Sequence, residues 1–498
     1  MVDLDRKRKQ DDFDASNGVV SKKARTITTS SDVLHNYSKL PDINVIPTAK
    51  SQGLDVFVWG TGSMCELGLG PSAKTKEVKR PRLNPFLTAE ALGGTKIVDF
   101  AVGGMHVLAL DGKNRVWSWG TNDSGVLGRD TSKAKEVLKD MDNNDDSDDE
   151  DGDLNEAEST PGLVEGLPKS GTIVGLAATD NLSAVLYDDG SVYAWGCFRC
   201  NEGMLGFLRS EITLQKTPYK MKELKNIVQL ASGKDHLLAL DKKGIVYAWG
   251  NGQQFQLGRR VLERHRYRTL QPQQFGLYDI KYIASGDFHC FAINQDDEVF
   301  AWGLNQFGQC ALTDAHGDLE DGSLITKPTL IEELSNKNIE EIVAGEHHTL
   351  ARTKDGEVFA WGRYDMKEIG IPKDKLPEST FKDGHGNARS VPTPTKLQFG
   401  AKENQVKIKT IGTGSHHSFA VTDDGFVYSW GFADTYGPGL GPLDEDVEKP
   451  TRIVNTATKE HDIQMIGAGG QFSVSGGVKI EDEDKAEDRI DKYEEIDG

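Results

Sequence analysis

Along the chain, short runs of alternating apolar and polar residues recur in pairs around turn residues. His106-Val-Leu-Ala-Leu110 and Arg115-Val-Trp-Ser-Trp119 flank Asp111-Gly-Lys-Asn114. The same pattern returns with Asp188-Asp-Gly190, Lys242-Lys-Gly244, Lys354-Asp-Gly356 and Asp423-Asp-Gly425 at the turn. A period of two predicts half-buried strands, and Asp-Gly and its relatives supply the positive φ of tight hairpins. A further strand is predicted before each hairpin, as in Ile97-Val-Asp-Phe100, Ile280-Lys-Tyr-Ile283 and Ile408-Lys-Thr-Ile411. Another follows each hairpin after a loop often opened by proline, at Pro161, Pro218, Pro272 and Pro328.

Two signatures frame each hairpin. Trp-Gly occurs at Trp59, Trp119, Trp195, Trp249, Trp302, Trp361 and Trp430. G-x-x-H occurs as Gly103-Gly-Met-His106, Gly233-Lys-Asp-His236, Gly286-Asp-Phe-His289, Gly345-Glu-His-His348 and Gly414-Ser-His-His417, each His lying 13 residues before the next Trp. Thr179-Asp-Asn-Leu182 is a degenerate copy with the same spacing, and Gly469-Gly-Gln-Phe472 is a seventh with no Trp-Gly after it. Four strands per unit, repeated radially, predict an all-β, seven-bladed β-propeller. Because the two signatures are offset at the chain ends, residues 55–87 are expected to supply two strands that complete the blade begun by 463–476. Such closure removes an open sheet edge.

Composition adds the flanks. Of 498 residues 54 are glycine, and the net charge of −20 is concentrated rather than spread. Residues 140–158 hold eleven acids and no Lys or Arg, and 480–498 hold ten acids against three bases. Residues 1–52 are slightly basic. The expected organisation is a disordered basic tail over 1–53, a propeller over 54–478 with a disordered acidic insert at 140–158, and an acidic tail over 479–498. No stretch reaches the roughly 18 apolar residues of a membrane helix, and the N-terminus is charged rather than signal-like. Five irregularly spaced cysteines suggest free thiols in a reducing compartment. The lone Cys197-Phe-Arg-Cys200 lacks the second pair that a metal site needs, and no metal or cofactor is expected. There is no phosphate-cradling GxxxxGK[ST] and no Ser-His-Asp order.

The hairpin geometry sorts the loops. G-x-x-H precedes one strand and Trp-Gly ends the next, so both lie on one rim and the Asp-Gly turns on the opposite face. Met105, Asp180, Asp235, Asp287, Glu346, His347, Ser415, His416 and Gln471 converge on that rim, which reads as a binding face. The repeating histidines read as residues that bond neighbouring blades, and the tryptophans as packing. One loop differs. From Trp to the leucine of Leu-Gly is 8 residues in 59–67, 119–127 and 249–257 but 10 in 195–205. The extension Phe198-Arg199-Cys200-Asn201-Glu202-Gly203-Met204-Leu205 projects from the same rim. Arg8-Lys9, a spacer, then Lys22-Lys23-Ala-Arg25 reads as a bipartite nuclear localisation signal or a DNA-contacting arm. A second basic cluster, Arg259, Arg260, Arg264, Arg266 and Arg268, suits an acidic histone surface.

The pairing of G-x-x-H with Trp-Gly, followed by Glu66-Leu-Gly68, Val126-Leu-Gly128 and Gln256-Leu-Gly258, resembles the regulator of chromosome condensation family over about residues 54–478. Trp59-Gly-Thr-Gly-Ser-Met-Cys-Glu-Leu-Gly-Leu-Gly70, Leu304-Asn-Gln-Phe-Gly-Gln-Cys310 and Asn455-Thr-Ala-Thr458 resemble its fungal, nucleotide-exchange type. The resemblance implies exchange of GDP for GTP on the nuclear GTPase Ran without covalent catalysis. It also implies a chromatin-associated protein that meets histones and DNA and is carried into the nucleus by an import receptor, supporting nucleocytoplasmic transport and mitosis. It places Asp180, Asp235 and His348, with His347 and His106 beside them, on the exchange face and makes 198–205 a wedge pressed into the GTPase. Phe472 stands where the family has a histidine, so that role does not carry over. The alternative is a non-catalytic interaction propeller, a ligase substrate module or an inhibitor scaffold. An enzyme with its site in the central channel lacks a convergent nucleophile and base.

Overall fold

Each hairpin lies at the centre of a four-stranded antiparallel sheet in the computed structural model, which describes residues 37–132, 153–208, 212–313, 323–400 and 406–482. Blade 1 comprises Ile97–Val102, His106–Asp111, Val116–Gly120 and Gly162–Leu163, and blade 2 Ile173–Ala178, Leu182–Tyr187, Val192–Gly196 and Gln215–Lys220. Blade 3 comprises Ile227–Ser232, His236–Asp241, Val246–Gly250 and Gln273–Gln274, and blade 4 Ile280–Ser285, His289–Asn294, Val299–Leu304 and Leu324–Leu330. Blade 5 comprises Ile339–Ala344, His348–Thr353, Val358–Arg363 and Ala388–Lys396 with an added strand, Phe381–Lys382. Blade 6 is Ile408–Thr413, His417–Thr422, Val427–Gly431 and Val447–Arg452. Blade 7 joins the chain ends: His461–Ala468 and Phe472–Lys479 pair with Asp55–Thr61 and Glu77–Leu83. The expected seven-bladed propeller and its closure are therefore both found.

Register explains the constant spacing of the signatures. His106 faces Gly120 across the hairpin, and His236, His289, His348 and His417 face Gly250, Gly303, Gly362 and Gly431 in the same way. The glycine of Trp-Gly is required where it stands. Gly120 has φ +110, and a Cβ there would lie 2.3 Å from the Met105 carbonyl. The glycine that opens G-x-x-H lets blades approach, since a Cβ on Gly103 would lie 2.2 Å from the Thr179 carbonyl of the next blade.

The histidines and tryptophans form one relay across the seams. His348 Nε2 meets Ser418 Oγ of blade 6 at 2.8 Å, and that hydroxyl donates to the Glu368 carbonyl at 2.9 Å. The Trp430 indole donates to the same carbonyl at 2.8 Å. The hydroxyl spends its proton on the carbonyl, so His348 is the donor at Nε2, and its buried Nδ1 has no partner among the described residues. His106–Ser183, His289–Thr349 and His417–Ser473 repeat the link, and His236 meets Cys290 and Ser285. Burial drives the pKa of His106, His236, His289 and His417 down to about 3, so they are neutral in the folded chain. At two seams both partners are apolar: Phe472 precedes Val107, and Leu182 precedes Leu237.

Several expectations about the flanks change. Residues 37–53, read as tail, lie along the far face as a strap. Ile43 N and Asn44 N donate to the Lys242 carbonyl at 2.7 and 2.9 Å, and Asn44 Nδ2 reaches the Asp241 and Ile280 carbonyls. The Tyr37 hydroxyl donates to Asp241 at 2.8 Å, and Lys50 pairs with Asp99 at 2.7 Å. The strap orders because these groups satisfy far-face turn carbonyls and carboxylates. The insert ends earlier than read: Glu156–Ser159 is a helical turn capped by Asn155, and the buried Glu158 accepts from Thr131 at 3.0 Å. In the first hairpin the positive φ belongs to Asn114 (62°) rather than Gly112. The localisation signal, most of the acidic insert and most of the acidic C-terminal tail lie outside the described residues.

Candidate functional site

The two variable positions of G-x-x-H form two concentric rings at one end of the central channel. The inner ring is Gly104, Asp180, Lys234, Asp287, Glu346, Ser415 and Gly470, stitched from blade to blade by backbone bonds such as Asp180 N to Lys234 O (3.0 Å) and Lys234 N to Asp287 O (3.2 Å). The channel encloses about 360 Å³ lined by small residues of the first strands, including Ala177, Ala231, Ala284, Ala344 and Gly467.

Charge gathers at this mouth. Lys234 Nζ lies 4.0 Å from Asp180 and over the Phe288 ring at 5.4 Å. Burial, then the neighbouring Asp287, push the Asp180 carboxyl up to about 8 in spite of Lys234. Burial raises Asp287 to about 6, and the surrounding carboxylates hold Lys234 charged. Glu346 is pulled the other way, to about 2, first by its hydrogen bond to His416 at 3.1 Å. His347 sits between the Phe288 and Phe307 rings, with centroids at 6.2 and 5.0 Å. Burial lowers it to about 4, leaving a neutral imidazole on the rim at pH 7. The mouth is thus a partly desolvated, acid-rich depression.

Beside it stands the extension from blade 2. Phe198–Cys200 and Gly203–Gly206 pair antiparallel, with Arg199 opposite Met204. Phe198 and Leu205 are buried roots, while Arg199, Asn201, Glu202 and Met204 are exposed, Met204 to 49 %. Asp235 supports this hairpin: its Oδ1 accepts from Arg199 N at 3.1 Å and from Asn181 Nδ2 at 3.2 Å.

The structure brings Asp180, Asp235, His347 and the 198–205 hairpin together on one rim. It does not bring His106 and His348 there, because both are fully buried in the seam relay. Their place on the exchange face is corrected to the layer beneath it. Arg259 is also corrected. It follows Leu257-Gly258 as Arg129 follows Leu127-Gly128, and each turns inward onto a strand carbonyl, Ala248 O at 3.1 Å and Ser118 O at 3.0 Å. Arg260, Arg264 and Arg268 are exposed around the 3-10 helix Glu263–Leu270, and Arg266 pairs with Glu263 at 2.8 Å. Lys234, Phe288 and Asn181 also belong to the site and were passed over in the sequence. The signal for them is there, in the two variable positions of every G-x-x-H copy taken together.

Residues 55–475 match the model of the RCC1-like domain. The chain is 73 % identical over 471 residues to Protein RCC1 of Candida albicans, covering 93 % of this chain and 99 % of that protein. It is 59 % identical over 451 residues to the guanine nucleotide exchange factor SRM1 of Saccharomyces cerevisiae, covering 89 % and 91 %. Prp20p of Saccharomyces cerevisiae, described with its binding to Gsp1p and histones, superposes with a TM-score of 0.80 at 54 % identity, covering 90 % of this chain and 97 % of that one. Yeast RCC1 (Prp20) bound to Kap60 superposes with a TM-score of 0.81 at 52 % identity, covering 96 % and 99 %.

Proposed function

The chain belongs to the RCC1-like domain family, and from that premise we propose how its acidic rim and hairpin act. The protein is a guanine nucleotide exchange factor for a Ran-type GTPase, and its partners include histones and an import receptor. It is a regulator of a GTPase; nuclear residence and the absence of any covalent step complete the proposed reading. The single observation that carries the site is the 198–205 hairpin standing beside an acid-rich depression on the same rim.

The hairpin is the wedge. Met204 and Arg199, paired across its strands below the turn, give it an adaptable apolar flank with a cationic neighbour, suited to enter a gap in the GTPase near its nucleotide. Asp180, with Asp287 and Glu346 behind it, receives basic groups of the GTPase, and docking favours the ionised carboxylates. Rim and wedge fit the GTPase best when its nucleotide site is empty, so bound nucleotide and exchange factor weaken each other equally. Nucleotide leaves faster, and the more abundant GTP fills the site. Exposed Arg260, Arg264 and Arg268 face the acidic surface of histones, and residues 8–25 of the tail bind the import receptor.

Release of a fluorescent GDP analogue from a Ran-type GTPase tests the reading. The full chain is expected to accelerate release by orders of magnitude and to leave a Ras-type GTPase untouched. Equal release with and without the chain would refute it.

A further inference from the structure

The hairpin that we assign as the wedge grows from blade 2 but is held by blade 3. At other seams the carbonyl that closes the Trp-Gly loop accepts the indole of the next blade: Trp119 to Glu66 O, Trp195 to Val126 O, Trp302 to Gln256 O, Trp361 to Gln309 O, Trp430 to Glu368 O and Trp59 to Gly437 O. Among the described residues the extended loop of blade 2 supplies no such carbonyl, and the buried Trp249 indole N–H has no partner. Leu182 and Leu237 replace the His and hydroxyl of the relay at the same seam. Beneath the hairpin, a cavity of about 340 Å³ opens between Cys200, Leu205, Phe255, Val261 and Arg266. Packing therefore fixes the base of the hairpin, with Phe198 and Leu205 buried and Cys200 partly buried against them, and leaves its turn outside the core.

At its tip Glu202 lies 4.0 Å from Arg266 Nη1, and the closer hold is one side-chain amide. Gln253 lies in the loop after Trp249-Gly250, its own N–H held by Asn251 Oδ1 at 3.0 Å. Its Oε1 accepts from Asn201 N at 3.0 Å, and its Nε2 donates to both carboxylate oxygens of Glu202 at 3.1 and 3.0 Å. Both ends of the amide are thus spent on the two residues of the hairpin turn. We propose that Gln253 is a positioning residue for nucleotide exchange, clamping the tip of the wedge in the attitude in which it meets the GTPase. The clamp takes the place of the relay that this seam lacks. An unclamped tip samples many orientations over an unfilled cavity, and only the competent fraction acts, so the apparent rate falls by that fraction. The inference rests on the wedge reading above.

The test exploits the chemistry of the pair. Gln253→Ala removes the clamp, and Gln253→Glu sets one carboxylate against another. Gln253→Glu with Glu202→Gln rebuilds it with the groups exchanged, because the carboxylate introduced in blade 3 accepts both from Asn201 N and from the amide introduced in the hairpin. With the full chain and a Ran-type GTPase, Gln253→Ala should lower kcat/KM for exchange about five- to tenfold, Gln253→Glu more, and the double variant should exchange several-fold faster than Gln253→Glu, all at unchanged melting midpoint. Cys200 reports the wedge independently. It is the one cysteine not buried. Its thiol is raised by burial and by its bond to Glu202. Labelling of native chain by a thiol reagent should quicken in both Gln253 variants; the double variant is read by exchange alone, because Glu202→Gln itself removes the carboxylate that raises the Cys200 thiol. A loop trimmed by two residues, to the spacing of blades 1 and 3, should lose exchange. If trimming abolishes exchange while Gln253→Ala keeps the parental rate and labelling, or if the double variant fails to recover, the clamp is wrong and the wedge stands. If the trimmed loop exchanges normally, the wedge reading itself fails.

Discussion

Replacing tryptophan by phenylalanine at two structurally equivalent positions isolates the seam relay. Trp430 and Trp249 are both fully buried and occupy the same place in blades 6 and 3. They differ in one bond: the Trp430 indole donates to Glu368 O at 2.8 Å, and the Trp249 indole donates to nothing among the described residues. Each Trp→Phe loses similar apolar volume and incurs a comparable cavity cost. Trp430→Phe also forfeits a buried hydrogen bond, worth about 1 kcal/mol net. Trp249→Phe instead removes an unpaired buried donor, whose desolvation costs roughly 1–3 kcal/mol. The two variants should therefore differ by about 2–4 kcal/mol, with Trp249→Phe the more stable. Urea unfolding followed by far-UV circular dichroism, with equal slopes in both variants, measures the difference. Trp361→Phe serves as a second bonded control. Equal destabilisation at Trp249, Trp361 and Trp430 would show that the indole–carbonyl bond contributes nothing at the seams.

Asp180→Ala should slow exchange at least about tenfold, or roughly 1.4 kcal/mol; Asp355→Ala, in a hairpin turn on the opposite face, should leave the rate unchanged in the same fluorescent-GDP assay. Asp180, pushed up to about 8, carries a proton at neutrality and Asp287, pushed up to about 6, carries one only below it, and docking of a basic surface expels both. Exchange at subsaturating GTPase should therefore rise between pH 6 and 8, and Asp180→Asn should flatten the upper part of that rise; a rise that persists unchanged in the variant would refute the assignment. Deleting residues 1–36 should leave the melting midpoint in place, whereas deleting 1–50 should lower it by several degrees, because the strap contacts from Tyr37 to Lys50 are then lost. Equal midpoints would show that the strap does not brace the ring.

The ring was legible because its determinants repeat. Register needs His opposite the glycine of Trp-Gly, which sets the 13-residue spacing that recurs from blade to blade along the sequence. What one copy leaves ambiguous the others settle. The strap was not legible, since Tyr37, Ile43, Asn44 and Lys50 are single residues whose partners lie some 49 to 236 positions away. Arg259 misled for a related reason. Within a run of five arginines it reads as surface charge, and only its place after Leu-Gly, shared with Arg129, marks it as a residue that turns inward. The histidines show the opposite error. Reading them as seam residues was correct for His106 and His348, and the family resemblance drew both onto the exchange face where burial denies them contact.

The wedge seam is where the repeat fails to repeat, and its failures coincide. Leu182 for histidine, Leu237 for a hydroxyl and a ten-residue spacing in place of eight each look like drift when taken alone. Physically they are one change. A loop rebuilt as a projecting hairpin withdraws the carbonyl that anchors the relay, and a buried histidine–hydroxyl pair without that anchor would leave the hydroxyl proton without an acceptor. Leucines at both positions remove that cost, while the tryptophan, whose volume the core still needs, keeps its orphaned N–H. Phe472 with Val107 is the same substitution at the closing seam, but there Trp119 still bonds Glu66 O and the loop keeps its ordinary length. Apolar replacement of the relay is therefore tolerated without a projecting loop. The orphaned indole belongs to the loop that projects.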